Sequence, residues 1–299
     1  MPSAAPVQVN CPAKLNLFLE ILGKRPDGYH EIETVIVPAP SVLFDRIEAA
    51  FTPGGTVTLE LRLLPLPEDP FVPGGEENLA VRAARLVLAE AGSKEGVRLT
   101  LTKNIPAGAG LGGGSSDAAG ALRAVNRLLG DPLAEERLSA LGLSLGSDVP
   151  YFLRGGAVLA RGRGEVLESI PWDPVFRFIV VCPGFPVSTR EAYRKCCVPD
   201  PKKRRSPRPV LEALAGGDAE ALSKACFNRL EEAGRESEPR LATALDRWRS
   251  MGIGPIHMSG SGSSCFLLLT RRTRGRTLLV RIEEGLSGMS DRSMIVSEA

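Results

Sequence analysis

Histidine is scarce in this 299-residue chain, with His30 and His257 the only two. A zinc or iron site built on several imidazoles is therefore not expected. The six cysteines (Cys11, Cys182, Cys196, Cys197, Cys226, Cys265) contain no C-x-x-C pair and no framework spacing. Reduced thiols in a cytoplasmic protein fit that usage better than a disulfide scaffold. Long apolar runs are missing: none approaches the ~20 residues that span a bilayer. Residues 1–10 carry neither a basic n-region nor an apolar h-region, so a secretory leader is not expected. There is also no excess of one charge. The 37 Lys+Arg against 35 Asp+Glu leave +2, which argues against a polycation bound to nucleic acid. The basic run Lys202, Lys203, Arg204, Arg205 and Arg208 has no interleaved aromatics and reads as a solvated loop.

What is present is ordinary globular chemistry. Hydrophobic residues make up 43% and charged residues 24%, which excludes disorder, collagen and coiled coil for the whole chain. The length suggests two domains, with a second unit starting near Pro171. Residues 7–21 read as a strand, with Leu15, Leu17, Leu19 and Ile21 on one face and Lys14 and Asn16 on the other. Further strands are expected at 29–37, 56–64, 97–105, 176–182, 256–258 and 265–270. Helices are expected at 79–91 behind an Asn78 cap, 116–129, a short one from 133, then 218–233, 238–251 and 274–286. Residues 65–75, rich in proline and glycine, read as a loop. Strands and helices mix without a βαβ beat, so the fold class is α+β.

The most informative stretch runs from Asn104 to Ala119, with five glycines between Gly108 and Gly114. Without Cβ atoms such a loop takes positive φ and brings its N–H groups close to a ligand. Inward N–H groups make an anion nest, and the helix that follows points its positive end at the same place. Together these describe a di- or triphosphate site. Gly108, Gly110 and Gly113 also satisfy G-x-G-x-x-G, but no βαβ unit with a terminal acid follows. The loop has no Lys for a Walker A reading, and His-Arg-Asp and Asp-Phe-Gly are absent. No G-x-S-x-G elbow supports a hydrolase. The bland alternative is a flexible turn.

Other segments are ambiguous when taken singly. Lys14 beside Asn16 faces a cleft or is a solvated lysine. Asp148 in Gly146–Pro150 is a functional carboxylate or a turn former. Residues 259–264, alternating Gly and Ser, are a second ligand loop or a hairpin. Tyr29 and His30 could stack on and hydrogen-bond a base, or sit half-buried in a core.

In combination the segments are far more specific. Ala13–Leu17, Pro106–Ser116 and Gly260–Ser264 resemble the three motifs of the GHMP kinase superfamily. Asp27–Glu31 and Gly146–Pro150 resemble its branch acting on a cytidine-diphosphate-linked sugar alcohol. The resemblance runs in order from about residue 9 to about residue 269. It implies a two-domain fold: an N-terminal two-layer α/β domain (1–170) and a C-terminal ferredoxin-like α+β domain (171–299), with a cleft between. It implies ATP as co-substrate, held by Pro106, Ala107, Gly108, Ala109, Gly110, Leu111, Gly112, Gly113, Gly114, Ser115 and Ser116, with Asn78 and Lys103 near the adenosine.

The same resemblance gives Lys14 and Asp148 the catalytic positions, and Asn16, Tyr29, His30, Thr189 and Tyr193 the cytidine and erythritol positions, with Tyr193 stacking against Tyr29. The implied reaction is phosphorylation of the 2-hydroxyl of 4-diphosphocytidyl-2-C-methyl-D-erythritol, in the non-mevalonate route to isoprenoid precursors. Mg²⁺ is expected with ATP, and no carboxylate ligand for it is evident. Ala109 departs from the family by replacing a loop glycine, and residues 183–188 align loosely. Partners other than ATP and the sugar alcohol, whether nucleic acid or membrane, are not expected. The alternatives are a mevalonate, phosphomevalonate or homoserine kinase, or a catalytically silent nucleotide or metabolite sensor.

Overall fold

The computed structural model describes residues 5–63, 72–172, 176–270, 276–286 and 294–297. In chain order its first elements are β1 (Val7–Pro12), β2 (Lys14–Lys24), β3 (His30–Pro38), β4 (Phe44–Thr52), β5 (Val57–Leu63), α1 (Leu79–Glu90), β6 (Gly96–Lys103), α2 (Gly113–Leu128), α3 (Glu135–Leu145) and α4 (Val149–Arg154). There follow β7 (Val158–Gly162), β8 (Val166–Ser169), β9 (Phe178–Cys182), α5 (Thr189–Lys195), α6 (Arg208–Ala215), α7 (Ala219–Ala225), β10 (Phe227–Asn228), α8 (Leu230–Ser237), α9 (Pro239–Ser250), β11 (His257–Met258), β12 (Cys265–Leu268), α10 (Arg276–Leu286) and β13 (Met294–Ser297). The mixture is α+β. No helix among the described residues is long and apolar enough to cross a membrane. All six cysteines are free thiols.

The chain folds into two compact units, each discontinuous in sequence. The first comprises Met1–Ala13, Leu43–Ala107 and Gly112–Gly155. Its sheet has the order β1-β4-β6-β5, antiparallel except for the β5–β6 pair. Helices α1 and α2 pack on each other, and α2 lies on β1 and β4. Helix α1 starts where its sequence predicts, because Asn78 Oδ1 accepts the Ala80 N–H at 2.9 Å. Small residues let α2 sit close to the sheet. A Cβ on Gly120 would lie 2.2 Å from Cys11 Sγ, so only glycine fits there. Ile47, Leu99, Leu101, Val87 and Leu122 fill the layer between sheet and helices.

The second unit comprises Lys14–Val42, Gly108–Leu111 and Gly156–Ala299. It carries a five-stranded sheet, β10-β2-β3-β7-β8, and a four-stranded sheet, β11-β12-β9-β13. Its core gathers Leu19, Ile21, Val181, Leu241, Leu245 and Trp248. Glu20 is fully buried on β2 and forms two hydrogen bonds with Arg229, at 2.7 and 2.8 Å. It also accepts the Arg205 N–H at 2.8 Å, which ties down the basic run after its first three residues. Within that run Lys202, Lys203, Arg205 and Arg208 are exposed, and residues 201–203 form a short 3-10 turn.

Several expected elements are redrawn. Residues 7–21 are not one strand. The Ala13 N–H bonds Leu43 O and the next one, of Lys14, bonds Leu111 O, so β1 and β2 belong to different sheets. Strand β4 escaped notice because Asp45 is buried on it, which breaks the apolar alternation. The hairpin β7–β8 and helices α5 and α6 were also not foreseen. The helix expected over 218–233 is interrupted by β10, which pairs in parallel with Phe18 and Leu19 of β2. Residues 64–71 of the expected strand end and loop, and the first two residues of the last helix, lie outside the described residues.

Candidate functional site

In the first unit the glycine loop delivers the chain into α2. Gly112 caps the helix at φ +75°, a conformation that disfavours any side chain. The helix begins at Gly113, three residues before the expected Ser116, so Gly113, Gly114 and Ser115 are its first turn. The Ser116 N–H already bonds Gly112 O at 2.9 Å. The three N–H groups ahead of it have no intrahelical acceptor and face the positive end of a 16-residue helix. Ser116 Oγ and Asp117 Oδ1 are buried there without a hydrogen-bond partner among the described residues.

Under this turn lies an ion cluster. Lys103 Nζ donates to Asp117 at 2.8 Å and to Asp45. It would lie 3.2 Å from a Cβ on Gly113. Asp45 also accepts the N–H groups of Asn104 and Ile105. Burial pushes the Asp117 carboxyl up to about 8; Lys103 opposes the shift and the Asp45 charge adds to it. Burial alone would lower Lys103, but the two carboxylates reverse this and hold it above its usual value. Asp45 and Asp117 were not singled out from the sequence. Asp117 stood inside the quoted motif and Asp45 inside an unrecognised strand.

Two other predicted residues fall in this unit. Asn78 is buried, and beyond its cap bond it donates from Nδ2 to Pro73 O at 2.8 Å. Asp148 stands at the N-terminal boundary of α4, half-buried, and its side chain makes no capping hydrogen bond. A Cβ on Gly146 would lie 4.0 Å from Ser115 Oγ, so this turn starts beside the first turn of α2. Burial, with the Asp148 charge adding to it, raises the Tyr151 phenol one turn further along.

The second unit brings three separate motif segments together. Lys14 opens β2, and its Nζ donates to Asn16 Oδ1 and, at 2.9 Å, to Gly110 O. Asn16 Nδ2 donates to Thr34 Oγ1 at 2.9 Å, which fixes the amide. Ser259 Oγ donates to the same Gly110 O at 3.1 Å and accepts the Asn16 N–H at 3.2 Å. A Cβ on Gly110 would lie 2.2 Å from Ser259 O, so glycine is obligatory for this approach. The Ser264 N–H bonds Ala109 O and the Val187 N–H bonds Gly108 O. Residues 14–16, 108–111 and 259–264 thus interlock around one carbonyl.

The expected base-binding residues lie in the same unit. Tyr29 is 55% exposed, with the Arg163 guanidinium 4.7 Å from its ring centre. The Tyr193 ring meets His30, at 5.3 Å and 36°. Burial lowers the His30 pKa, and nearby Lys24 adds to the shift, so the ring is neutral at pH 7. Thr189 Oγ1 is 2.8 Å from Ser261 Oγ. Arg163 was missed because the hairpin that carries it was not recognised; its Arg-Gly-Arg-Gly-Glu turn was the available signal.

Comparison with known proteins fits this geometry. The sequence pattern of the GHMP kinases N terminal domain matches residues 78–156, and that of the GHMP kinases C terminal matches 210–287. The chain is similar to a 4-diphosphocytidyl-2-C-methyl-D-erythritol kinase of Geobacillus sp., 38% identical over 292 residues, covering 96% of this chain and 95% of that protein. A crystal structure of 4-(cytidine 5'-diphospho)-2C-methyl-D-erythritol kinase superposes with a TM-score of 0.73 at 36% identity, covering 97% of this chain and 98% of that one. A homoserine kinase from Cytophaga hutchinsonii also gives 0.73, at 18% identity over 99% of this chain and 95% of its own, a likeness of fold alone.

Proposed function

The chain belongs to the 4-diphosphocytidyl-2-C-methyl-D-erythritol kinase family of the GHMP kinases, and from that premise we propose how its residues work. It is an ATP-dependent phosphotransferase with an alcohol acceptor. The acceptor is the 2-hydroxyl of 4-diphosphocytidyl-2-C-methyl-D-erythritol, in the non-mevalonate route to isoprenoid precursors. The observation that carries the residue assignment is the interlock of residues 14–16, 108–111 and 259–264 around Gly110 O. It gives Lys14 a fixed position beside a glycine loop that has no other evident purpose.

Phosphoryl transfer needs positioning and electrostatic stabilisation more than covalent chemistry. The N–H groups of Gly113, Gly114 and Ser115, at the positive end of α2, hold phosphate oxygens. Lys14 offsets charge that builds on the γ-phosphoryl oxygens. Asp148 accepts the proton of the attacking hydroxyl. Tyr29 and Tyr193 offer ring faces to the cytosine. The neutral His30 ring both donates to and accepts from a base edge, and Asn16 and Thr189 hold the erythritol part. Asn78 and Lys103 have their side chains engaged within the protein and shape the adenosine side.

Mg²⁺, when bound with ATP, would supply positive charge that offsets the phosphate oxygens. The hydroxyls of Ser115 and of Ser116, the latter buried and unpartnered, are hard oxygen donors of the kind that would hold it. Residues 1–170 form the ATP-binding half and 171–299 the C-terminal half, a division that the contact-based units cross. The working compartment is the cytoplasm, with no nucleic acid or membrane as partner. An ATP-consumption assay with a panel of acceptors tests this reading. Turnover should require the cytidine-diphosphate-linked alcohol, and preference for mevalonate or homoserine would refute it.

A further inference from the structure

Asn228 lies outside all three motif segments, yet its side chain holds one of them. It is 8% exposed on β10, beside Leu19 of the strand that carries Lys14. Its Nδ2 donates to Met258 O at 2.8 Å and to Gly260 O at 2.7 Å, and its Oδ1 accepts the Leu230 N–H at 2.9 Å. The opposite amide orientation would set its oxygen against two carbonyls and its NH₂ against an N–H, so the network fixes the side chain. The two carbonyls flank Ser259, whose hydroxyl bridges the Asn16 N–H and Gly110 O.

The contacts beyond the turn leave no slack. A Cβ on Gly260 would lie 2.8 Å from Gly110 O and 3.1 Å from Lys14 Nζ. Lys14 Nζ itself donates to Gly110 O at 2.9 Å. Displacing residues 258–260 by a few tenths of an ångström therefore moves either that carbonyl or the ammonium. We infer that Asn228 is a positioning residue for Lys14, acting through the Met258–Gly260 turn and the Ser259 hydroxyl. This rests on the reading of Lys14 as a group that acts on the transferred phosphoryl. An ammonium displaced toward ~1 Å loses much of its effect on the reaction, because misplacement on that scale costs about 10²-fold.

A double-mutant cycle in steady-state kinetics separates positioning from general damage. Asn228→Ala should lower kcat by roughly 10–100-fold, with KM for ATP and for the acceptor changing by less than about threefold. In a Lys14→Arg background the same substitution should cost less than about threefold, because the ammonium it positions is gone. Equal losses in both backgrounds, or a loss confined to KM, would overturn the inference. Ser259→Ala removes one hydroxyl from the same chain of contacts and should show the same non-additivity; an additive result there overturns it even if Asn228→Ala folds poorly. Wild-type turnover in Lys14→Arg would instead refute the catalytic reading of Lys14, and this inference with it, whereas additive losses refute the inference alone.

Discussion

Lys14 and Lys103 are equally buried, each 5% exposed, the first opening β2 and the second closing β6 just before the glycine loop. Their partners differ. Lys103 sits between two carboxylates, and its charge is matched inside the protein. Lys14 donates to the Asn16 amide oxygen and to the Gly110 carbonyl, contacts that orient its ammonium. Two equally buried lysines are thus held in different ways, one by carboxyl groups and one across three chain segments. Lys103 stiffens the floor under the first turn of α2, while Lys14 is oriented by a network that spans three motif segments.

The comparison can be broken by substitution. The largest effect is expected on the chemical side: Asp148→Ala should lower kcat by roughly 10²–10⁴-fold with little change in ATP affinity, as loss of a general base does. Near wild-type turnover would remove Asp148 from that role. Next, Lys103→Met leaves the buried Asp45 carboxylate without a counter-charge and should destabilise the fold by about 3–5 kcal/mol. Lys14→Met breaks the hydrogen bonds to Asn16 Oδ1 and Gly110 O and should cost less, about 1–3 kcal/mol. Urea unfolding of both variants reads the contrast, and equal losses would dissolve it. Gly112→Val should weaken ATP binding, because φ +75° is closed to a β-branched residue; unchanged affinity in titration calorimetry would count against the anion-nest reading.

A last effect concerns pH. The Asp117 carboxyl, raised to about 8, keeps its proton in the native state over a range where the unfolded chain, near the ordinary value of about 4, has released it. The native state binds more protons between those values, so this group's contribution to stability falls as pH rises from about 4 to about 8. Asp117→Asn has no such titration. Its urea midpoint should therefore gain on the wild type between pH 5 and pH 8, and a constant gap would show that Asp117 is already ionised.

Much of this was legible in the sequence, for identifiable reasons. The Asn78 cap placed the start of α1 correctly, because that signal acts locally. The strand alternation also placed Lys14 and Asn16 together on one face, as their hydrogen bond requires. The switch of sheets at Ala13 left no mark in the alternation, since it depends on which distant carbonyls the two N–H groups meet. Strand β10 was hidden inside a helical pattern for the same reason, because two residues pairing with β2 carry no local signal. Asp45 and Asp117 escaped notice because a buried carboxyl is recognised by its partner, and Lys103 lies 58 and 14 residues away from them. The glycine loop does run into a helix as its sequence predicts, but the helix starts three residues early, so glycines expected in the loop belong to its first turn.

The most direct test of the whole account is mass spectrometry of the acceptor after incubation of the protein with ATP, Mg²⁺ and 4-diphosphocytidyl-2-C-methyl-D-erythritol. The account predicts one added phosphate, located on the 2-hydroxyl. An acceptor recovered unchanged, with the nucleotide bound but intact, would contradict it.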